Sequence, residues 1–311
     1  MPQEHSSHCP LHTSTAGEII NIISTETLTK RYRRDLGIDI SLELSNAKTL
    51  VLHQCPLCKL QFFTPAKEGS SEFYQQMKQL PWYYPNTKFE YNSAAEWLKN
   101  TTTVLDIGCG DGRFANHLPQ CSYTGLEPYS VEKRPLPNQH NIIYQSLNDH
   151  AHRHTEHYEA VCAFQVLEHV KNPALFIGDA LKCLQPGGLL ILGVPNADSY
   201  LSRLVNFTLN APPHHLSWWQ KETFQHWAKA FTLKTLALQQ SPVEDWEKRL
   251  YWMANATHFL SPGSTPHFSD KHHWQIISTI AYISAGLLQY LPIKKSATGS
   301  TLLWVAQKQA S

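Results

Sequence analysis

The chain has 311 residues and a nearly balanced charge, with 26 lysines and arginines against 25 aspartates and glutamates. No long basic run occurs, so a nucleic-acid backbone is not an expected partner. The first twelve residues lack a basic start followed by an apolar core, so we expect no secretory signal and a cytoplasmic protein. The length suits either one large core or a core with a small satellite domain, and no feature predicts an oligomeric state.

Two short pairs of metal-ligating residues mark the N-terminal segment, residues 1–95. Cys9 and His12 are separated by two residues, as are Cys55 and Cys58, so each pair could clamp one side of a tetrahedral ion. The pattern predicts a zinc knuckle on a hairpin with strands over 49–53 and 60–63. The alternative is a frayed terminus and two unligated thiols. The remaining cysteines lie in or beside apolar strands and are expected to be reduced core thiols: Cys109, Cys121, Cys162 and Cys183.

A helix predicted over 71–80 is followed by a segment dense in aromatic residues, which ends near residue 98. Aromatic density at this point favours a helix packed over a ligand cleft. Tyr84 and Tyr91 are therefore predicted to line the substrate side of that cleft. Ordinary core packing is the alternative for each ring.

The segment TVLDIGCGDGR, residues 103–113, carries the strongest ligand signal. Its apolar start predicts a buried parallel strand with Asp106 near the end. The three glycines that follow let the backbone turn sharply and approach a ligand closely. We expect a helix to begin over residues 114–118, so that its N-terminus faces the ligand.

A second acidic residue supports a nucleotide-like ligand. The strand predicted over 122–126 ends in Glu127, roughly twenty residues beyond Asp106, where nucleotide folds place a carboxylate against ribose hydroxyls. The glycines follow the spacing GxGxG and not the GxGxxG of dinucleotide-binding loops, which argues against a dinucleotide. With the later segments QVLEHV and LQPGGLLILGVPN, the chain resembles a class I S-adenosylmethionine-dependent methyltransferase.

The resemblance implies a fold and a cofactor site. It implies a doubly wound, Rossmann-like α/β domain over 96–311 with a mostly parallel seven-stranded sheet and a helical insertion at about 244–295. S-adenosylmethionine would lie at the carboxyl ends of the strands. The residues that the resemblance assigns to the cofactor are Asp106, Gly108, Cys109, Gly110, Gly112, Glu127, Ser146, Leu147, Phe164 and Gln165.

Glu168 and His169 are expected at the substrate mouth, after a strand predicted over 158–164. The related ubiquinone-pathway O-methyltransferases have an acidic residue at the place of Gln165 and bind a divalent cation through it and the Glu-His pair. The glutamine here removes one anionic ligand.

The next predicted helix begins at Pro173 and closes in a left-handed cap at Gly187 and Gly188. The strand over 189–194 follows it and places Asn196 where it could meet substrate.

A segment rich in proline, histidine and tryptophan, residues 210–219, precedes a helix predicted over 221–230. We expect its prolines to hold an extended loop, with Trp218 and Trp219 as a lid. Because imidazoles exchange protons near neutral pH, His215 is the first candidate catalytic base and His214 the second. One of the two is expected to bond to a loop carbonyl or cap the helix instead. The element resembles one in bacterial methyltransferases that carry an N-terminal zinc segment.

Residues 274–293 form an uncharged stretch of twenty residues after a strand predicted over 233–239. Polar residues on one helical stripe favour a lid helix packed on the core over a membrane span. Peripheral membrane contact is the alternative, supported by Lys271, Lys294 and Lys295 at its ends. A final strand is predicted over 300–307.

The predicted function is methyl transfer from S-adenosylmethionine to an oxygen or carbon of a small-molecule or saccharide acceptor, with His215 or Glu168 removing the proton. The zinc segment favours a saccharide, because sugar C-methyltransferases carry one. The Glu-His pair and the apolar helix favour the alternative of a quinol or lipid-like acceptor at a membrane surface. A third possibility is a cofactor-binding protein without transferase activity.

Overall fold

The computed structural model describes residues 7–83, 88–128, 140–263 and 265–309, so Tyr84 lies outside the described residues. The strands are β1 (Glu18–Ser24), β2 (Thr49–Gln54), β3 (Gln61–Thr64), β4 (Thr103–Ile107), β5 (Ser122–Leu126), β6 (Asn141–Ile143), β7 (Tyr158–Phe164), β8 (Leu184–Pro195), β9 (Ser217–Trp218), β10 (Leu233–Pro242) and β11 (Thr298–Lys308). The α-helices are α1 (Thr25–Leu36), α2 (Ser71–Lys78), α3 (Phe89–Trp97), α4 (Leu147–Ala151), α5 (Pro173–Cys183), α6 (Lys221–Ala230), α7 (Lys248–Leu260) and α8 (His272–Leu288).

The chain divides into two compact units. The first unit combines Met1–Gln76 with Pro195–Gln220 and Gln240–Ser300. The second combines Met77–Val194 with Lys221–Gln239 and Thr301–Ser311. Each unit is therefore assembled from segments that are distant in the sequence.

The first unit contains a four-stranded antiparallel sheet in the order β1-β2-β3-β9. Strands β2 and β3 form the expected hairpin, with Leu52 opposite Phe63. Strand β1 and helix α1 were not predicted. The helix begins where the Ser24 hydroxyl accepts a hydrogen bond from the Thr27 amide, and it ends at Gly37 in the left-handed conformation.

The second unit contains most of a seven-stranded sheet in the order β10-β11-β8-β7-β4-β5-β6. Neighbours from β8 to β6 pair in parallel, so the chain crosses over between them. Val104 and Leu105 of the central strand are fully buried. The predicted doubly wound, Rossmann-like α/β fold is confirmed.

Two local predictions were wrong. The segment after the glycine loop is a 3-10 helix over Arg113–His117, because Pro119 prevents a longer α-helix. Helix α5 ends at Cys183 without a glycine cap, since Leu184 is already extended. Gly187 is left-handed, but it lies inside β8, next to the point where the β7–β8 register shifts.

Helices α7 and α8 pack against each other within the first unit, inside the expected helical insertion. Trp274, Ala281 and Ala285 are the buried residues of α8. Among the described residues, no helix has the length and apolar character needed to cross a bilayer.

Candidate functional site

The glycine loop after β4 needs glycine for its shape. Gly108, Gly110 and Gly112 all have positive φ angles, of 68°, 56° and 77°. A Cβ atom at Gly108 would also lie 2.5 Å from Cγ2 of Val166. The amides of Gly108 and Cys109 donate to the Leu126 carbonyl at 2.7 and 3.1 Å. The loop is therefore fixed against the carboxyl end of β5.

Glu127 lies at that same end. Its carboxylate is 6% exposed, and Oε2 accepts a hydrogen bond from the Gly110 amide at 3.0 Å. The backbone amide of Glu127 donates to the Ile143 carbonyl at 3.1 Å, which ties it to β6. A carboxylate held beside a glycine loop at the end of the next parallel strand is suited to accept hydrogen bonds from vicinal ribose hydroxyls.

Asp106 is a buried acid inside the sheet. Its Oδ2 accepts a hydrogen bond from the Tyr123 hydroxyl at 2.6 Å, and the side chain is only 2% exposed. Burial raises the pKa of Asp106 to about 7, although Tyr123 and the charge of Lys88 act in the opposite direction. Sequence reasoning missed Tyr123. Its signal is a phenol facing the acid from the adjacent strand, which becomes visible only once the β4–β5 register is known.

Gln165 follows β7 in the left-handed conformation, with φ of 58°. Its backbone amide donates to the Gly193 carbonyl at 2.8 Å, and the side-chain Nε2 donates to Oε1 of Glu90 at 3.2 Å. Glu90 lies on α3 and is 3% exposed. A strained residue and a buried carboxylate thus meet at the carboxyl edge of the sheet, where functional groups are commonly held. Glu90 was also missed, although an acid within an aromatic helix was a usable signal.

Glu168 is 1% exposed, and neither of its carboxylate oxygens makes a hydrogen bond to another described residue. Burial raises the pKa of Glu168 to about 8, with Lys88 opposing this rise and Glu90 adding to it. The nearest imidazole nitrogen, Nε2 of His169, is 3.6 Å from Oε1. Glu168 is therefore mostly uncharged at neutral pH, which makes it a hydrogen-bond donor more readily than a base.

The hydroxyl of Ser146 forms two hydrogen bonds with Asp149, three residues further along the chain. This exposed hydroxyl accepts a hydrogen bond from the Asp149 amide at 3.2 Å as the N-cap of α4, and it donates to Oδ2 of Asp149 at 2.7 Å. Leu147 is the first residue of that helix and is half-buried. The hydroxyl of Ser146 therefore keeps one acceptor lone pair for an adenine edge while its proton is bonded to Asp149.

The predicted aromatic residues of the second unit pack together. Phe164 lies edge-on to Phe114 at 4.7 Å and to Tyr91 at 5.3 Å between ring centroids. Tyr91 is 8% exposed, and Cys109 is similarly buried. The four cysteines expected as core thiols are all buried and form no disulfide.

The segment predicted as an extended loop in the first unit is instead a turn. The amides of His214 and His215 both donate to the Ala211 carbonyl at 3.2 Å, which closes the chain on itself. The His214 ring bonds to the Leu209 carbonyl at 3.1 Å, the structural role expected for one of the two histidines. The two rings stack at 4.4 Å, and both are buried.

The predicted tryptophan lid is wrong. Trp218 is 7% exposed in β9 and donates from Nε1 to the Asn210 carbonyl at 2.8 Å. Trp219 is fully buried and donates to the Ser217 hydroxyl at 2.9 Å. Rings fixed in this way belong to the core of the first unit. Asn196, the other predicted substrate residue of this unit, is buried and accepts a hydrogen bond from the Asp198 amide at 3.0 Å.

The four residues of the predicted zinc knuckle come together in the first unit. Their ligand atoms all lie within 4.8 Å of one another. Sγ of Cys9 is 3.7 Å from Sγ of Cys58 and 3.8 Å from Nδ1 of His12, which is 3.5 Å from Sγ of Cys55. A zinc ion with bonds of about 2.3 Å to sulfur and about 2.0 Å to nitrogen has tetrahedral edges of about 3.5–3.8 Å. The cluster can therefore hold a metal ion, and its dimensions suit Zn²⁺.

Two turns present these ligands. The Cys55 amide donates to the Leu60 carbonyl at 2.9 Å, and the Lys59 amide returns to the Cys55 carbonyl at 3.0 Å. The Cys9 amide donates to the Thr15 carbonyl at 3.0 Å, so the first pair also lies in an ordered turn and not in a frayed terminus. A hydrogen bond from the Cys58 thiol lowers the pKa of Cys9, which favours the thiolate that a metal binds.

A left-handed glycine loop with an acid on the next strand defines the cofactor side of a Rossmann-like methyltransferase. The family model described as "Methyltransferase domain" matches residues 83–238, and the chain belongs to this family. S-adenosylmethionine is the cofactor of the class, and the loop suits it, since the Glu127 carboxylate lies beside the glycines at the carboxyl edge of the sheet.

Known proteins resemble parts of this chain. It is 34% identical over 128 residues to the ubiquinone biosynthesis O-methyltransferase of Hydrogenovibrio crunogenus, a match that covers 37% of this chain and 52% of that protein. The enzyme of the same name from Yersinia pestis is 30% identical over 105 residues, covering 31% and 43%. The match thus spans about half the length of these relatives. A methyltransferase structure from Archaeoglobus fulgidus aligns with 77% of this chain and 95% of its own at 15% identity and a TM-score of 0.46.

Proposed function

We propose that the protein transfers a methyl group from S-adenosylmethionine to a small-molecule acceptor. The observation that carries the proposal is the hydrogen bond between the Gly110 amide and Glu127, which joins the glycine loop to the acid of the next strand. A buried carboxylate beside a glycine loop suits the ribose hydroxyls of this cofactor. When bound, the cofactor supplies the electrophilic methyl group.

The side chains of the protein would then position the reactants and accept one proton from the acceptor. Asp106, Glu127 and Gln165 are proposed to orient the cofactor from the ends of three neighbouring strands. The remaining cofactor residues predicted from the sequence stay part of this proposal. Removal of a proton from a hydroxyl acceptor is proposed for His215, with His214 as the second candidate. The raised pKa of Glu168 makes it a less effective base, so we assign it and His169 to hydrogen bonding with the acceptor.

An oxygen acceptor is favoured over carbon. The two relatives named above are ubiquinone biosynthesis O-methyltransferases, which supports an aromatic hydroxyl on a quinol-like ring. A saccharide is the second candidate, and the Cys3His cluster favours it because sugar C-methyltransferases carry such a segment.

A transfer assay tests the proposal. The purified chain is incubated with methyl-labelled S-adenosylmethionine and two acceptor panels, one of catechols and quinols and one of sugar nucleotides, and products are read by mass spectrometry. We expect methylated catechol, and loss of transfer in His215→Ala with S-adenosylhomocysteine binding retained. His258→Ala, which removes an exposed imidazole, is the matched control. A chain that binds S-adenosylhomocysteine and methylates nothing would instead be a cofactor-binding protein without transferase activity.

A further inference from the structure

Helix α8 has an apolar stripe on its exposed side. Ile276, Ile280, Ile283 and Leu287 recur at intervals of three and four residues and so share one face. They are 48%, 45%, 65% and 78% exposed, whereas the buried side of the helix holds Trp274, Ala281 and Ala285. The helix is therefore apolar on two sides, and only one of them is covered by the fold.

Further apolar side chains near the ends of α7 and α8 are exposed. Tyr290 and Leu291, which follow α8, are 83% and 47% exposed. Phe259, in the last turn of α7, is 85% exposed. Contiguous exposed residues of this size usually mark a binding surface, because water contact with them is unfavourable.

The charges within residues 271–297 are of one sign. Residues 271–297 contain Lys271, Lys294 and Lys295 and no acidic residue. The neighbouring acid, Asp270, is paired with Arg31 at 2.8 Å. In α7, the Arg249 guanidinium lies 4.1 Å from the centroid of the Tyr282 ring. The surface thus combines apolar side chains with basic groups at its two ends.

We propose that this surface, defined by the exposed face of α8 with residues 290–295, binds the surface of an anionic lipid bilayer. Apolar side chains would enter the interfacial region while Lys271, Lys294 and Lys295 contact lipid phosphates. The helix has 17 residues and is about 26 Å long, which suits it to lie in the plane of the interface.

A second copy of the chain fits the surface less well. A two-fold symmetric contact uses the same patch on both subunits. Antiparallel packing of two α8 helices would place Lys271 of one copy beside Lys294 and Lys295 of the other, and no acidic residue in 271–297 would compensate. An anionic bilayer offers an apolar region for the stripe and lipid phosphates for the lysines.

Vesicle binding tests this surface without any measurement of transferase activity. The full chain is sedimented at low salt with vesicles of phosphatidylcholine alone and with an equimolar mixture of phosphatidylcholine and phosphatidylglycerol. We expect binding to the mixed vesicles that decreases with added salt. Lys294→Ala/Lys295→Ala should bind roughly thirty-fold more weakly, a factor of about five for each lysine.

Leu287→Glu should weaken binding at least tenfold, since it removes an apolar contact and adds a charge of the wrong sign. Leu42→Glu makes the same exchange at a site that is 83% exposed and outside the surface, and it should bind like the unmodified chain. Absence of binding to mixed vesicles, or binding that Leu287→Glu leaves unchanged, would overturn the proposal. So would a dimer in sedimentation equilibrium that Leu287→Glu dissociates, because the surface would then be occupied by a second copy.

Discussion

Tyr123 donates a 2.6 Å hydrogen bond to Asp106 across neighbouring strands, and both side chains are buried. The bond stabilises the ionised form of Asp106, whose pKa is nevertheless raised to about 7 by burial. A folded-state pKa above the ordinary value of 3.8 means that ionisation destabilises the fold. Stability from this group is fully present below pH 3.8 and is lost as the pH rises through about 7.

Tyr123→Phe should therefore destabilise the protein in a pH-dependent way. At pH 5 the loss is that of a neutral hydrogen bond, about 1 kcal/mol. At pH 9 the carboxylate loses its donor and the loss should rise to about 2–3 kcal/mol. Tyr32→Phe is the control, because the buried Tyr32 hydroxyl bonds to the Ala211 carbonyl and, among the described residues, to no ionisable side chain. Urea unfolding at both pH values measures the effect, and equal losses for Tyr123→Phe at pH 5 and pH 9 would contradict the assignment.

Glu168→Gln should stabilise the protein above neutral pH. The native carboxyl has its pKa raised from 4.5 to about 8 by burial, so its contribution to stability is lost as the pH rises between these values. A glutamine side chain has nearly the same size as glutamate and cannot ionise. We expect stabilities close to those of the native chain at pH 4 and an advantage of a few kcal/mol for the variant at pH 8, measured by urea unfolding.

The exposed exchange Glu222→Gln serves as the control and should change little at either pH. A Glu168→Gln variant that is less stable than the native chain at pH 8 would show that the ionised carboxylate is held by favourable contacts.

Local patterns in the sequence were sufficient to predict much of the sheet. Strands β5 and β7 have the predicted bounds because an apolar run between turn residues leaves little choice of register. The metal ligands were predictable from their spacing. The partners of Tyr123 and Glu90, Asp106 and Gln165, depend on tertiary pairing that no local pattern encodes.

Two of the wrong local predictions have a similar origin. Trp218 and Trp219 suggested a lid by their size, but the pairing of β9 with β3 buries them. Gly187 suggested a helix cap, whereas the strand had already begun at Leu184. In both cases the surroundings, and not the residue type, determined the role.

The Cys3His cluster should retain zinc on purification. We expect about one equivalent per chain by plasma mass spectrometry, because four donors with tetrahedral spacing bind Zn²⁺ tightly. Cys55→Ser should lose the metal and lower the melting temperature.

Cys183→Ser is the matched control for zinc, since it replaces a buried thiol outside the cluster and should leave the zinc content unchanged. Less than a tenth of an equivalent of zinc in the native chain, together with unchanged stability of Cys55→Ser, would refute a structural metal.

Calorimetric titration with S-adenosylhomocysteine tests the cofactor site most directly. We expect binding of one molecule per chain and no detectable binding to Gly110→Arg, which fills the loop at a position with φ of 56°. Gly108→Ala should weaken binding at least tenfold, about 1.4 kcal/mol, because its Cβ would meet Val166. Gly178→Ala, where a Cβ meets nothing within 4 Å, should bind like the native chain. A native chain that does not bind the ligand, or a Gly110→Arg variant that binds it equally well, would contradict the account.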